Sequence, residues 1–256
     1  MNGSRTERAP AEETTRRGCA LSMWRLYGKI LPPRLEAAAE LIPGGCGVAD
    51  VGTDHGLLPV WLALRGENTP VIASDLRPGP LSRAVENANR CGLGDKIRFL
   101  CADGLSGITP GEAGCVVCCG MGGETIRDII LAASWLKSPD TTLVLQPQSK
   151  LRELIKALSR EGWSLLGARL SKDAGRVYPV FSVRWTGEET GWDEDTLVKR
   201  MSEEKQTMLP EWLEEQVRRL EKALKGAETG KTAGEETEQM RQELQRLRRL
   251  MEETGK

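Results

Sequence analysis

Apolar and polar positions alternate along the chain in blocks from residue 34 onward. Amphipathic runs with helical spacing predict helices over 34–42, 57–66, 79–92, 124–136 and 150–163. Short, continuous apolar runs between them predict strands over 46–52, 70–75, 97–104, 115–123 and 141–148. Because strands and helices alternate, the pattern predicts an α/β fold whose parallel strands are covered by helices on both faces.

The last apolar runs break this alternation. The segments WSLLGARLS and RVYPVFSVRW follow one another with no helical pattern between them. We therefore predict that they form an antiparallel hairpin, which closes a mostly parallel, seven-stranded, Rossmann-like sheet.

After residue 185 the pattern changes to charged helical runs. Two such runs, about 195–226 and 235–253, flank a glycine-containing segment, and the second carries apolar residues at Met240, Leu244, Leu247 and Met251. Heptad-like spacing of this kind predicts an antiparallel helical hairpin or coiled coil. Its helices either only pack on each other, which the acidic composition favours, or form an arm that contacts RNA or a second copy. We predict three regions: a disordered tail (1–22, with Met23 as an alternative start), a Rossmann-like domain (23–185) and a helical domain (186–256).

Charge and hydropathy narrow the setting of the protein. The 256-residue chain has a net charge of -1, divided into a net +4 for residues 1–185 and a net -5 for 186–256. If RNA binds, this distribution favours the first region. Since there is neither an apolar run of membrane-spanning length nor an apolar signal core, we expect no membrane contact and a cytoplasmic location. The oligomeric state stays open, with a monomer as the simplest expectation.

The cysteines do not predict a metal site. Seven cysteines are scattered through strand-like runs, and the chain has a single histidine, His55. Zinc sites need matched groups of ligands, and disulfide frameworks use even numbers of cysteines. We therefore expect reduced, structural thiols and no metal.

The first predicted strand ends in an unusual turn. It runs from Asp50 through Gly52, Thr53, Asp54 and His55 to Gly56. Open α/β sheets bind ligands at this edge, but the G-x-G-x-x-G pattern that cradles a pyrophosphate is missing. The turn therefore favours a nucleoside ligand that lacks phosphates.

Three further strand ends supply candidate ligand contacts. Asp75 ends the second strand, where a carboxylate can accept hydrogen bonds from two ribose hydroxyls; the alternative role is a helix cap. Asp103 and Gly104 end the third strand, where they can meet an adenine ring or only form a turn. After the fourth strand come Gly120, Met121, Gly122 and Gly123, which can leave room for a flat base or only allow a tight turn.

Together these segments resemble a known family. The stretches AELIPGGCGVADVGTDHGLLPVWL, ASDLRPGPLSRAVENA, CADGL, GMGGETI and LVLQPQ, in this order, resemble the bacterial tRNA (adenine-22-N1)-methyltransferases over about residues 33–185. The resemblance implies a class I methyltransferase fold, S-adenosyl-L-methionine as cofactor and tRNA as substrate. With this cofactor, the turn and the strand ends predict cofactor binding by Asp50, Gly52, Thr53, Gly56, Asp75, Asp103, Gly104 and Gly120. The family often has an aromatic residue where this chain has Leu57, so no base-stacking role is carried over there.

A methyl transfer to adenine N1 suggests roles for the remaining candidates. N1 carries an in-plane lone pair and needs no base, but the product is cationic, and a carboxylate such as Asp54 would stabilise it. His55 is the second catalytic candidate, with a purely structural role as the alternative. Substrate contacts are expected from Met121, Gly122, Gly123, Gln146 and Gln148. The basic residues Arg34, Arg77, Arg83 and Arg127 are candidates for contacting RNA.

Three rival functions fit parts of the pattern. The first is methylation of another RNA, a protein or a small molecule on the same fold. The second is RNA binding without catalysis, with the helical hairpin as the binding element. The third, an NAD-dependent oxidoreductase, is disfavoured because the phosphate-binding loop is missing.

Overall fold

The computed structural model describes residues 31–229 and 234–254. The predicted tail over 1–22 and the alternative start at Met23 lie outside these residues. The strands are β1 (Val48–Val51), β2 (Val71–Asp75), β3 (Ile97–Cys101), β4 (Cys115–Gly122), β5 (Thr142–Ser149), β6 (Trp163–Asp173) and β7 (Arg176–Trp185). The α-helices are α1 (Pro33–Ala39), α2 (Leu57–Arg65), α3 (Pro78–Arg90), α4 (Gly123–Ala132), α5 (Leu151–Arg160), α6 (Glu194–Glu203), α7 (Leu209–Thr229) and α8 (Glu235–Thr254).

The seven strands form one sheet in the order β3-β2-β1-β4-β5-β7-β6. Strands β1 to β5 pair in parallel, whereas β7 pairs antiparallel with both β5 and β6. The predicted α/β fold with a closing antiparallel hairpin is confirmed. Because β2 and β4 lie on opposite sides of β1, the strand order reverses between β1 and β4, which is where such sheets bind ligands.

Alternate residues of each central strand face two separate hydrophobic cores. Val48, Val71 and Val117 face α1, α2 and α3 on one side of the sheet. Ala49 and Val116 face α4, α5 and the C-terminal helices on the other side. Burial on both faces explains why these strands are apolar at consecutive positions rather than at alternate ones.

Several element boundaries differ from the sequence-based prediction. β4 ends at Gly122 and β5 at Ser149, each within one residue of the predicted end, and Gly123 is the first residue of α4. The predicted helix 124–136 ends at Ala132 and continues as a 3-10 turn over Ser134–Leu136. The predicted run 195–226 is two helices, α6 and α7, between which Lys205 adopts a left-handed φ of 53°.

The C-terminal helices share a core with the sheet. The α7–α8 pair packs as the predicted hairpin. Buried residues of all three helices, including Met201, Trp212 and Leu247, belong to the same hydrophobic cluster as the sheet face that packs on α4 and α5. This packing holds the C-terminal helices against the sheet. The predicted division into two domains at residue 185 therefore stays a prediction.

Two further observations concern the thiols and the membrane. Cys46, Cys101, Cys115, Cys118 and Cys119 are free thiols. Cys91 is disulfide-bonded, so the expectation of reduced thiols was wrong at that position. Within residues 31–229 and 234–254, no helix combines the length and apolar character needed to cross a bilayer.

Trp192 joins the sheet to the first C-terminal helix. It is 6% exposed, its indole Nε1 donates to the carbonyl of Trp163 over 2.7 Å, and its ring meets Phe181 edge to face at 6.0 Å. The next residue, Asp193, caps α6 by accepting a hydrogen bond from the amide of Thr196. The segment between β7 and α6 is therefore anchored in the core.

We predict that Trp192→Ala lowers the free energy of unfolding by about 3–5 kcal/mol, because it empties a packed site and removes a buried hydrogen bond. Urea unfolding measures this loss, with Trp61→Ala as the control. Trp61 lies half-buried against the Arg65 guanidinium, so its removal has a clearly smaller effect. Equal losses for the two variants would contradict the anchoring role of Trp192.

Candidate active site

A cleft of about 850 Å³ opens at the carboxyl ends of β1 to β5, at the reversal of strand order. It brings together eight of the predicted site residues, which come from five different strand ends: Gly52, Asp54, Asp75, Asp103, Gly104, Gly120, Met121 and Gln148. The other predicted residues lie behind its walls or beside its mouth: Asp50, Thr53, His55, Gly56, Gly122, Gly123 and Gln146.

The turn after β1 is held in a left-handed bend. Gly52, Asp54 and Gly56 have positive φ angles of 73°, 50° and 67°. The amides of Gly52 and Thr53 both donate to the carbonyl of Ser74 in β2, at 2.8 and 2.9 Å. Glycine adopts such φ angles without strain, and a short polar residue such as Asp54 tolerates them. A Cβ at Gly52 would meet only the mobile end of the Met121 side chain, so the bend depends on Gly52 chiefly for its conformation.

Gly56 closes the bend and fits it to α3. A Cβ at this position would lie 2.7 Å from Cβ of Ala84, so the glycine allows close packing rather than ligand contact. The side-chain amide of Asn87 donates to the carbonyl of His55 over 2.9 Å. These contacts fix the bend against the helix that follows β2.

Asp75 connects β2 to the bend. Its side chain is 7% exposed and lines the cleft. One carboxylate oxygen accepts from the amide of Asp54 at 3.3 Å, and the other accepts from the amide of Arg77 at 2.9 Å. A carboxylate offers about four acceptor positions, so two amide bonds leave room for two hydroxyl donors of a ligand.

Asp54 and His55 lie side by side at the mouth of the cleft. The Asp54 carboxylate is 51% exposed, and its Oδ2 lies 3.6 Å from Nε2 of His55, whose side chain is 40% exposed. Asp54 lines the cleft, whereas His55 does not. The geometry gives Asp54 direct access to a ligand and leaves His55 next to it, where it can orient the carboxylate or balance its charge.

Asp50 is buried beneath the bend. Burial is the main cause that raises the pKa of its carboxyl to about 6; the nearby Asp75 carboxylate raises it further, and the Arg34 guanidinium acts in the opposite direction. Asp50 does not line the cleft, so any effect of its carboxylate on a ligand is through the bend that lies above it.

Asp50→Asn should stabilise the protein at neutral pH. A raised pKa means that the folded state favours neutral Asp50; this stability is complete below pH 4 and is lost as the pH rises through about 6. The variant, which cannot ionise, should gain about 3 kcal/mol in free energy of unfolding at pH 8. Urea unfolding of the variant and the wild type at pH values from 8 down to 4 measures this difference, which should shrink as the pH falls. A gain that is independent of pH, or a loss at pH 8, would contradict the buried, ionised carboxylate.

Gln146 lies behind the wall of the cleft. It is fully buried, and its Oε1 accepts a hydrogen bond from the amide of Gly120 at 2.9 Å. The side chain of Gln146 does not reach the cleft here and holds the β4 backbone where Gly120 lines it, so its contact with a substrate stays a prediction. Gln148, two residues further along the same strand, does line the cleft.

The two following glycines are also structural. A Cβ on Gly123 would lie 2.6 Å from the carbonyl oxygen of Lys150, and one on Gly122 would lie 3.3 Å from Oγ of Ser149. Neither glycine lines the cleft, and both pack closely between the ends of β4 and β5; their contact with a substrate stays a prediction. Met121 does line the cleft, as predicted.

Sequence reasoning missed the apolar wall of the cleft. Leu76 is 64% exposed although it directly follows the buried Asp75. Ile129 from α4 packs 3.3 Å from the position that a Cβ on Gly104 would occupy, and Leu105 and Trp135 extend the same wall. The sequence offered one signal for this wall: the apolar Leu76 directly follows Asp75, the acid that ends β2.

Two of the four arginines that could contact RNA lie at the cleft. Of the four candidate arginines, Arg34 and Arg77 line the cleft, whereas Arg83 and Arg127 do not. Arg127 pairs with Asp128 at 2.8 Å.

In the part of the chain that the structure describes, no three histidine, cysteine or acidic side chains are grouped to hold a metal ion.

The fold and the cleft together define the class of the protein. The family described as "Methyltransferase domain" matches residues 31–181, more than half of the chain. The chain belongs to this family, and its expected class I, Rossmann-like architecture is confirmed.

Particular relatives are also similar. The tRNA (adenine(22)-N(1))-methyltransferase of Bacillus subtilis is 32% identical over 150 residues, which are 59% of this chain and 63% of that protein. The solved structure of the B. subtilis m1A22 tRNA methyltransferase TrmK aligns with a TM-score of 0.73 at 26% identity, covering 88% of this chain and 98% of that one. Streptococcus pneumoniae Sp1610, solved in complex with S-adenosyl-L-methionine, aligns with a TM-score of 0.73 at 25% identity, covering 85% and 98%. The predicted family resemblance is confirmed, although the sequence match spans less than two thirds of the B. subtilis protein.

Proposed function

We propose that this protein transfers a methyl group from S-adenosyl-L-methionine to N1 of an adenine, adenine 22, in tRNA. The observation that carries the proposal is the cleft at the strand-order reversal, where the buried Asp75 and the exposed Asp54 face one ligand space. The named activity of the B. subtilis relative and the cofactor complex of the S. pneumoniae protein support it.

The residues of the cleft fit this cofactor. Asp75 has acceptor capacity left for the two ribose hydroxyls, and Leu76 and Ile129 offer apolar surface to the adenine ring, beside Asp103. The bend at Gly52 brings the backbone close to the ligand without the glycine-rich phosphate loop of dinucleotide sites. The bound cofactor supplies an electrophilic methyl group on a sulfonium centre.

Asp54 is the catalytic residue in this proposal. The attacking N1 uses a lone pair, so no residue has to remove a proton before the transfer. Positive charge develops on the adenine as the bond forms, and a carboxylate beside it stabilises this charge more in the transition state than in the ground state. The same carboxylate can accept a hydrogen bond from the N6 amino group and so orient N1. His55, 3.6 Å from the carboxylate, positions it.

The substrate follows from the reacting atom. N1 lies on the Watson–Crick edge, so the target base must be unpaired or flipped out to enter the cleft. Gly120, Met121 and Gln148 line the part of the cleft that would receive it. A tRNA partner and a catalytic reaction in the cytoplasm complete the proposal.

The main alternative is a methyltransferase of another RNA or of a small molecule. The same cleft and the same cofactor residues serve that function equally well, because the cofactor half of the site does not identify the acceptor. The discriminating experiment is mass spectrometry of nucleosides after incubation of unmodified tRNA with enzyme and cofactor. We expect 1-methyladenosine among the nucleosides. This product should be absent when adenine 22 of the tRNA is replaced by guanine. Turnover of cofactor with no methylated adenosine in tRNA would contradict the proposal.

Asp54→Ala should reduce kcat by about 100-fold or more, since removing one preorganised charge partner commonly has an effect of this size. Affinity for S-adenosylhomocysteine should change little, because the Asp54 amide, not its side chain, contacts Asp75. Single-turnover methylation and calorimetry measure the two quantities, and Asp95→Ala, at an acid that does not line the cleft, is the control. Near-normal turnover of Asp54→Ala would exclude its catalytic role.

A further inference from the structure

Arg34 enters the cleft from outside the central β/α units. It lies in α1, which packs against β6, and its side chain is 30% exposed. It lines the cleft together with Gly52 at the end of β1 and with Cys119 and Gly120 in β4. The sequence analysis treated it only as one of four arginines that could contact RNA.

The guanidinium of Arg34 is only partly paired. Its Nη1 donates to Oδ2 of Asp173 at 3.1 Å, at the end of β6. Its Nε is buried and has no hydrogen-bond partner among the described residues, and no bond of Nη2 is present there either. An unpaired buried donor is destabilising, so this edge of the guanidinium favours a partner from outside the described residues.

The order of the strands fixes which part of the cofactor would reach Arg34. The predicted ring contact, Asp103, follows β3, and the predicted ribose contact, Asp75, ends β2. The next strands in the sheet are β1 and then β4, each about 4.8 Å further along. A nucleoside laid from β3 to β2 therefore extends its 5′ substituent across β1 towards β4, where Arg34 lies.

We infer that Arg34 binds the α-carboxylate of the methionine part of the cofactor; this inference rests on the proposed function. Arginine presents paired N–H groups in a planar fork that matches a carboxylate. The Asp173 contact occupies Nη1 and leaves the Nε and Nη2 edge, which is the second fork of the group. Arg34 is then a binding residue that selects a cofactor carrying a carboxylate, not a residue that reads RNA.

A comparison of two ligands tests this assignment. S-adenosylhomocysteine carries the amino-acid group, whereas 5′-methylthioadenosine has the same nucleoside and a thioether but no carboxylate. We expect Arg34→Ala to weaken binding of S-adenosylhomocysteine by about 10- to 100-fold in calorimetry, in line with the loss of a charged hydrogen-bonded contact. Binding of 5′-methylthioadenosine should stay within twofold of the wild type. Arg34→Lys should recover part of the loss, because lysine keeps the charge but not the fork.

The remaining outcomes each overturn the inference. Equal weakening of both ligands by Arg34→Ala would assign Arg34 a structural role through Asp173. Unchanged binding of both ligands, with a raised KM for tRNA, would assign it to RNA contact. Arg83→Ala, which changes an exposed arginine outside the cleft, is the control and should alter neither ligand. Failure of the wild type to bind S-adenosylhomocysteine would instead overturn the proposed function, and the inference with it.

Discussion

The backbone of the bend after β1 fixes the positions of Asp54 and Asp75, the two carboxylates on which the proposed site depends. Two amides of the bend share the carbonyl of Ser74, and the next amide, that of Asp54, is accepted by the Asp75 carboxylate. The end of β2 therefore holds the end of β1 through three hydrogen bonds. One of them is accepted by the Asp75 carboxylate, the group that is expected to bind ribose. Left-handed φ angles at Gly52 and Gly56 make this geometry accessible.

In the proposed function, the same coupling gives cofactor binding and catalysis to different side chains. Asp75 is buried and has its position fixed by two backbone amides, as a group that binds a defined nucleoside should be. Asp54 is half exposed, its backbone amide is held by Asp75 and its carboxylate lies 3.6 Å from His55, so the side chain can meet a base that enters from solvent. Behind both, Asp50 and Gln146 are buried polar groups that shape the cleft without reaching it. The free energy needed to bury Asp50 is offset by the two large hydrophobic cores on either side of the sheet.

The sequence predicted the sheet and much of the site because both depend on local pattern. Apolar runs of strand length mark buried parallel strands, and polar residues at their ends mark the ligand edge, as Asp75 and Asp103 show. The missed features depend on tertiary contacts. Whether a polar residue such as Gln146 faces the cleft or the core depends on the register of the sheet, in which it pairs with Cys119 just before the register shifts. Likewise, the burial of Trp192 in a charged segment follows from the surface of Phe181 that it covers.

The central claim is that one cofactor lies across β3, β2 and β1, with its ribose on Asp75 and its reactive end beside Asp54. A crystal structure of the complex with S-adenosylhomocysteine tests it most directly. The account predicts both ribose hydroxyls within hydrogen-bonding distance of the Asp75 carboxylate and an open space between the sulfur and Asp54. A ligand bound elsewhere, or an Asp54 side chain turned away from the sulfur with no path for a base, would contradict it.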